Sequence, residues 1–464
     1  MSDLRELEGV LAPALGRLSS RTQFAEALAQ SEHGEGVTLE RRTITTRREP
    51  RLRGAVLRAW SGERWIESAT STLDGHAIAE ATESIEQGLS KSASRQGPPG
   101  ASSTLRREWT ELPAHPMSEV SAEEMAKLAR DVLAWATAVP GVRECHVHIG
   151  WSNEERFYLN TAGARCYQVL ARVDLGAAPV AIENGRVEFD YVSAGSIGGR
   201  ERLAYLDEAR VTDLARGAAQ LLKAGAAPTG EMPVLLDPGT AGTFAHESFG
   251  HGTEADQFLR DRSYLRPLLG QVVGPESLTI VDAGSYPDGY GTIRFDDEGR
   301  ESQRSVLVDR GRFVGALHDR ETAAALGARP TGNARRSDFL SRLFVRMTNT
   351  YVEPGDWKLE ELVKEAKTGV LLEHTTSGIE DPLGGQMQLK VKKGRRIENG
   401  ELGGVVSSMA LSGKVLEFLT RIRGLSRRDD FEMTPGTCGK GHTDNLPVAS
   451  GGTYLLSRAV VGPA

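Results

Sequence analysis

The chain has 464 residues, 39% of them hydrophobic and 26% charged, which is enough for two cores and suits a soluble globular protein. A formal net charge of −7 argues against nucleic-acid binding through bulk electrostatics. No apolar run approaches the ~20 residues of a membrane span, the start Met1-Ser2-Asp3-Leu4-Arg5-Glu6 lacks a signal-peptide pattern, and Cys145, Cys166 and Cys438 are too scattered for a disulfide framework. A cytoplasmic protein without nucleic-acid or membrane partners is therefore expected.

Residues 3 to 30 read as one or two amphipathic helices. Short runs from Val37 to Thr70, separated by Gly and Pro, read as an antiparallel meander. Asp74 to Leu89 has helical character, and Ser92 to Ser103 has the composition of a connector. Ser121-Ala122-Glu123-Glu124 is a capping box, opening a helix whose apolar face carries Met125, Leu128, Ala129, Val132, Leu133 and Ala136. Alternating strands are expected from Val142 to about Tyr191, with turns at Asn153 and Asn184-Gly185. A helix displaying Val211, Leu214, Ala215, Ala218 and Leu222 then ends at Ala224–Gly230. The expected fold is α+β. An N-terminal α/β domain, residues 1–227, combines an antiparallel sheet with amphipathic helices, and a β-rich domain, residues 228–464, carries the most informative motif of the chain.

That motif follows the strand Val234-Leu235-Leu236 and the turn Asp237-Pro238-Gly239-Thr240. It reads His246-Glu247-Ser248-Phe249-Gly250-His251. Two imidazoles and a carboxylate form the residue set of a hydrolytic zinc site, in which the carboxylate serves as general base. The familiar spacing is H-E-x-x-H, on one helical turn. Here one more residue intervenes, and an i, i+5 pair sits roughly 140° apart on a regular helix. Either the helix widens or ends near Gly250, where distortion costs least, or the motif is a polar surface helix. Beyond it short β runs dominate, with helices near 320–326, 357–367 and 414–422.

A catalytic zinc site needs a third protein ligand. Cys438, in Thr434-Pro435-Gly436-Thr437-Cys438-Gly439-Lys440-Gly441-His442, is the remote candidate; Lys440 would favour its thiolate. His442 is a candidate fourth ligand or supporting donor. Cys145-His146-Val147-His148 is a competing cluster without a glutamate. Asp296-Asp297-Glu298-Gly299 reads as an acidic turn or a hard-metal site. Arg294, Arg335 and Arg336 can clamp a carboxylate or a peptide backbone. Asp297, Glu298, Arg335 and Arg336 are accordingly the candidate substrate-binding residues. Nucleotide-binding spacing and a G-x-S-x-G elbow are both missing from the sequence.

Together these segments resemble the TldD/PmbA family of metallopeptidases, in its catalytic TldD type. The residues carrying the resemblance are His246-Glu247-Ser248-Phe249-Gly250-His251-Gly252 with Glu254 and Asp256, Phe295-Asp296-Asp297-Glu298-Gly299 with Gln303-Arg304, Gly332-Asn333-Ala334-Arg335-Arg336, Arg346-Met347-Thr348-Asn349-Thr350-Tyr351, and Gly436-Thr437-Cys438-Gly439-Lys440. The resemblance implies one Zn2+ per active subunit, held by His246, His251 and Cys438, with Glu247 as general base. It implies short or unfolded peptide substrates, of the leader-peptide or antitoxin type. It also implies a homodimer or a heterodimer with a related TldE/PmbA-like subunit. The alternative reading is a non-catalytic binding subunit with a closed structural metal site.

Overall fold

The structure, a computed structural model, describes residues 3–48, 52–89, 97–441 and 443–464. Three long strands organise the first half: β1 (Ala25–Glu40), β6 (Val142–Asn160) and β7 (Arg165–Glu183). Around them lie β2 (Thr43–Arg48), β3 (Leu52–Trp60), β4 (Trp65–Thr70), β5 (Arg106–Trp109), β8 (Arg186–Phe189) and β9 (Val192–Ile197). The sheet order is β4-β3-β1-β6-β7-β5, with β2 on β1 and both β8 and β9 on β7. All pairs are antiparallel except β5–β7.

The length of β6 lets it serve two cores. Near its start, Val147 and Ile149 pack under α3 (Ala122–Thr137) and α4 (Glu208–Leu221), against Met125, Val132, Leu214 and Ala218. Near its end, Phe157 packs with Leu11 and Leu15 of α1 (Glu8–Ser19) and Ile78 and Ile85 of α2 (Gly75–Leu89). The expected capping box forms: Ser121 Oγ accepts from Glu124 N at 3.2 Å, and Ser121 N donates to Glu124 Oε2 at 2.9 Å.

Two sequence expectations are corrected. Helix does not extend to residue 30, because β1 begins at Ala25 and supplies an inner strand. Asn153 is not a turn: it lies inside β6, opposite His33 on one side and Ala171 on the other. Pairing along both edges overrides a local turn preference. Asn184-Gly185 does form the β7–β8 turn, with φ of 51° and 80°, a left-handed conformation that Asn and Gly tolerate. Part of the expected connector, 92–96, lies outside the described residues.

From Gly230 onward the strands form two larger sheets and one short pair. In the first, Gly230–Leu236, Gly369–Glu380, Gln386–Glu398, Met409–Lys414 and Leu455–Pro463 pair successively, and the last returns to the first, closing a barrel. Closure leaves those five strands without a free edge within the ring. In the second, six strands follow the order Arg312–Phe313, Arg304–Asp309, Ile280–Ala283, Asn349–Val352, Thr443–Gly452 and Glu432–Lys440, so the strand carrying Cys438 is at the edge.

Helix α5 (Pro238–Thr243) lies so close to the second sheet that a Cβ on Gly242 would sit 2.6 Å from Gly451 N and 2.8 Å from Ser450 C. Backbone cannot yield as a side-chain tip can. Gly242→Ala is therefore expected to destabilise the chain by about 1–3 kcal/mol or more, read as a lower midpoint in urea. An unchanged midpoint would contradict this packing.

Candidate metal centre

Asp237 starts α5 by accepting from Thr240 N at 2.7 Å, and Pro238 occupies the first turn, where its missing N–H costs nothing. The helix then widens into a π turn over Phe244–Gly250, and His251 N donates to His246 O, an i→i+5 bond. Residues five apart are thereby stacked instead of splayed. The same widening aligns Phe244 and Phe249, both fully buried, against Phe418 at 4.6 Å and Phe313 at 5.6 Å. Each aromatic anchor stabilises the widened turn by about 1.5–3 kcal/mol relative to exposure. Gly250 itself has ordinary helical angles, φ −58° and ψ −49°. A Cβ there would lie 2.2 Å from Met347 Sδ, so any larger residue would require the buried Met347 side chain to move.

The widened turn brings the two imidazoles together, ring centroids 5.2 Å apart and planes at 84°. Cys438 Sγ arrives from the edge strand, 3.3 Å from His251 Nε2. One donor atom from each of His246, His251 and Cys438 lies within 4.8 Å of the others. His246 is 4% exposed, and neither ring nitrogen has a hydrogen-bond partner among the described residues. A buried polar side chain left this way costs about 1–3 kcal/mol, unless it serves as a ligand. Burial alone would push the Cys438 thiol up; the imidazoles of His246 and His251 more than offset this and bring it down to about 5. Two imidazoles and a thiolate are the donor set of tetrahedral zinc, so these residues fit such an ion.

Glu247 lies on the open side of the cluster. Its side chain is 33% exposed, and Oε2 is 3.8 Å from His251 Nε2. Gly378 leaves it room: a Cβ there would approach Glu247 Cγ to 2.7 Å. Behind the cluster is Glu254, fully buried, with Oε2 3.4 Å from His251 Nδ1. Burial pushes the Glu254 carboxyl up, but Lys440, His251 and Arg346 together hold it well below the usual carboxylate range. The groups that chiefly lower the Cys438 thiol are His246 and His251, and Lys440 donates to Glu254 and Asp256. Its role was not legible from the sequence, although Glu254, three residues beyond His251, stands one turn from it. Glu380 also approaches the site, and burial together with Glu254 and Glu247 raises its carboxyl to about 8 despite the favourable charge of His251.

Asp297, Glu298, Arg335 and Arg336 are the four candidate substrate-binding residues. They are buried, and their polar groups bind the chain itself. Asp297 pairs with Arg156 and accepts from Arg336 N at 2.6 Å. Glu298 accepts from Arg58 Nη2 at 2.9 Å and from Arg320 N at 2.8 Å. Arg335 donates to Met347 O at 2.6 Å and Pro447 O at 2.9 Å, and Arg336 pairs with Glu67 at 2.7 Å. Arg58, Glu67 and Arg156 belong to the first sheet, so three of these residues join the two halves of the chain. Arg335 braces the strand opposite Cys438. The competing cluster does not assemble: His148 pairs with Asp174, and Cys145 is buried. His442 lies outside the described residues.

Models of the PmbA/TldA metallopeptidase central domain and C-terminal domain match residues 115–225 and 229–456. The chain belongs to the TldD/PmbA family. Within it, the chain is 35% identical over 371 residues to a metalloprotease of Methanothermobacter thermautotrophicus, covering 79% of each. It is 31% identical over 319 residues to a metalloprotease TldD homolog of Haemophilus influenzae, covering 67% of this chain and 65% of that one. A zinc metalloprotease TldD homolog of Saccharolobus solfataricus is 34% identical over 236 residues, 50% of this chain and 52% of the other. The TldD/PmbA fold extends to TldE from Thermococcus kodakarensis, whose crystal structure aligns with a TM-score of 0.78 at 17% identity, over 98% of this chain and 100% of that one.

Proposed function

We propose that this chain is a zinc-dependent peptidase acting on short or unfolded peptides, with one ion held by His246, His251 and Cys438. The observation that carries this reading is the convergence of those three donors, His246 buried without another partner, beside a half-open glutamate. When bound, such an ion supplies a Lewis acid for the scissile carbonyl and lowers the pKa of an adjacent water. Glu247 takes the proton of the attacking water and returns it to the leaving amine. His246 and Cys438 are 4% and 6% exposed, which supports a slender peptide over a folded surface as substrate. The relatives' names support a metal-dependent protease, and the likeness to TldE supports a related partner subunit, with a homodimer as the alternative. A division at 227/228 and a cytoplasmic location complete the reading; no helix among the described residues is long and apolar enough to cross a membrane.

The test is metal analysis joined to digestion of unstructured peptides. About one zinc per active chain, cleavage lost on chelation and restored by Zn2+ are expected. Full cleavage after complete metal removal would replace this reading with a thiol hydrolase using Cys438. Tight zinc without cleavage, alone or with a TldE-like chain, would favour the binding subunit with a closed site.

A further inference from the structure

Cys438 and His251 are 187 residues apart in sequence, so something must hold the cysteine strand against the histidine turn. Lys440, two residues beyond Cys438, is placed to do so. Its ammonium donates to Glu254 Oε2 at 2.8 Å, Asp256 Oδ1 at 2.7 Å and Val345 O at 3.1 Å. An ammonium has three donors, and these three acceptors face it among the described residues. Two of them lie just beyond His251 in the chain, while the lysine belongs to the strand of Cys438. A bulge between Cys438 and Lys440 shifts the register there, from Cys438 opposite Leu446 to Lys440 opposite Thr443.

Glu254 extends the contact to the imidazole. Oε2 faces both Lys440 and His251 Nδ1, and Oε1 is 3.6 Å from Nε of Arg346, which is 1% exposed. With a cation at each oxygen, Glu254 is a carboxylate and can only accept. With a carboxylate at Nδ1, a His251 that binds a metal would keep its proton on Nδ1 and leave Nε2, 3.3 Å from Cys438 Sγ, as the ligand atom.

We propose that Lys440 and Glu254 are positioning residues for the metal: the lysine docks the Cys438 strand onto the histidine turn and fixes Glu254, which sets the tautomer of His251. This rests on the peptidase reading for the identity of the ligands. Supporting partners of this kind typically change metal affinity by 10–100-fold.

The experiment uses the full chain and Zn2+ itself, with affinity measured by competition against a chromophoric chelator and the coordination read from the Co2+ spectrum. Glu254→Gln and Lys440→Met are each expected to weaken Zn2+ binding 10–100-fold and to alter the thiolate-to-Co2+ band. Lys440→Arg should not rescue, because a planar guanidinium cannot serve three acceptors arranged around one nitrogen. Glu254→Gln, nearly isosteric, carries the test if Lys440→Met fails to fold. Wild-type affinity and spectrum in folded variants, or full rescue by Lys440→Arg, would overturn the inference alone. A wild-type chain that takes up no zinc would overturn the peptidase reading and this inference with it.

Discussion

Glu247→Gln is expected to keep wild-type zinc content and to slow peptide hydrolysis by about 10²–10⁴-fold, the usual contribution of a general base. The amide matches the carboxylate in shape, so the space opposite Gly378 still accommodates it. Glu247 is also not one of the three converging donors. The lost property is the ability to take a proton beside His251, where Oε2 sits 3.8 Å from Nε2. Steady-state rates on an unstructured peptide, with zinc measured on the same sample, separate this outcome from metal loss. A variant that retains full activity rules out Glu247 as the base, and one that loses zinc assigns it to the ligand sphere.

The largest stability effect is expected at Arg156, which is not one of the three converging donors. Its guanidinium lies between Glu154 and Asp297, and all three side chains are at most 7% exposed. Asp297 in turn accepts from the backbone of Arg336. Arg156→Ala would leave two buried carboxylates with part of their compensation gone, a change that costs about 3–5 kcal/mol. The cost should appear in the urea midpoint of the metal-free chain. Zinc stoichiometry of the fraction that remains folded should be unchanged. A midpoint within experimental error of wild type would show that water reaches this network freely.

The difference between those two residues reflects what the sequence displays. His246, Glu247, His251 and Cys438 stand out because imidazole, carboxylate and thiol are rare in combination and their chemistry is local. Even the widened turn had a sequence sign, since Phe244 and Phe249 repeat at the same five-residue interval as the histidines. The helices expected near 320–326, 357–367 and 414–422 form at Arg320–Leu326, Leu359–Ala366 and Val415–Thr420, whereas the strand carrying Cys438, Glu432–Lys440, had no hydrophobic run to announce it. The buried partners of Asp297, Glu298, Arg335 and Arg336 were not legible for a physical reason. A charged residue in a glycine-flanked segment looks solvent-facing or substrate-facing, and its sequence contains no trace of partners more than a hundred residues away. Asn153 failed in the same manner, because two long strands pair across a residue that locally prefers a turn. Closure of the barrel is equally nonlocal.

That closure affects the order of events during synthesis. The histidines and Glu247 leave the ribosome long before Cys438, and the ring of strands waits still longer for Leu455–Pro463. At typical elongation speeds the 187 residues between His251 and Cys438 represent roughly 10–40 s. A nascent chain in that interval has Glu247 and two imidazoles but no Cys438, no Lys440 and no closed barrel. On the function proposed above, a chain at this stage lacks one of the three ligands and so has no complete site with which to cut unfolded polypeptide.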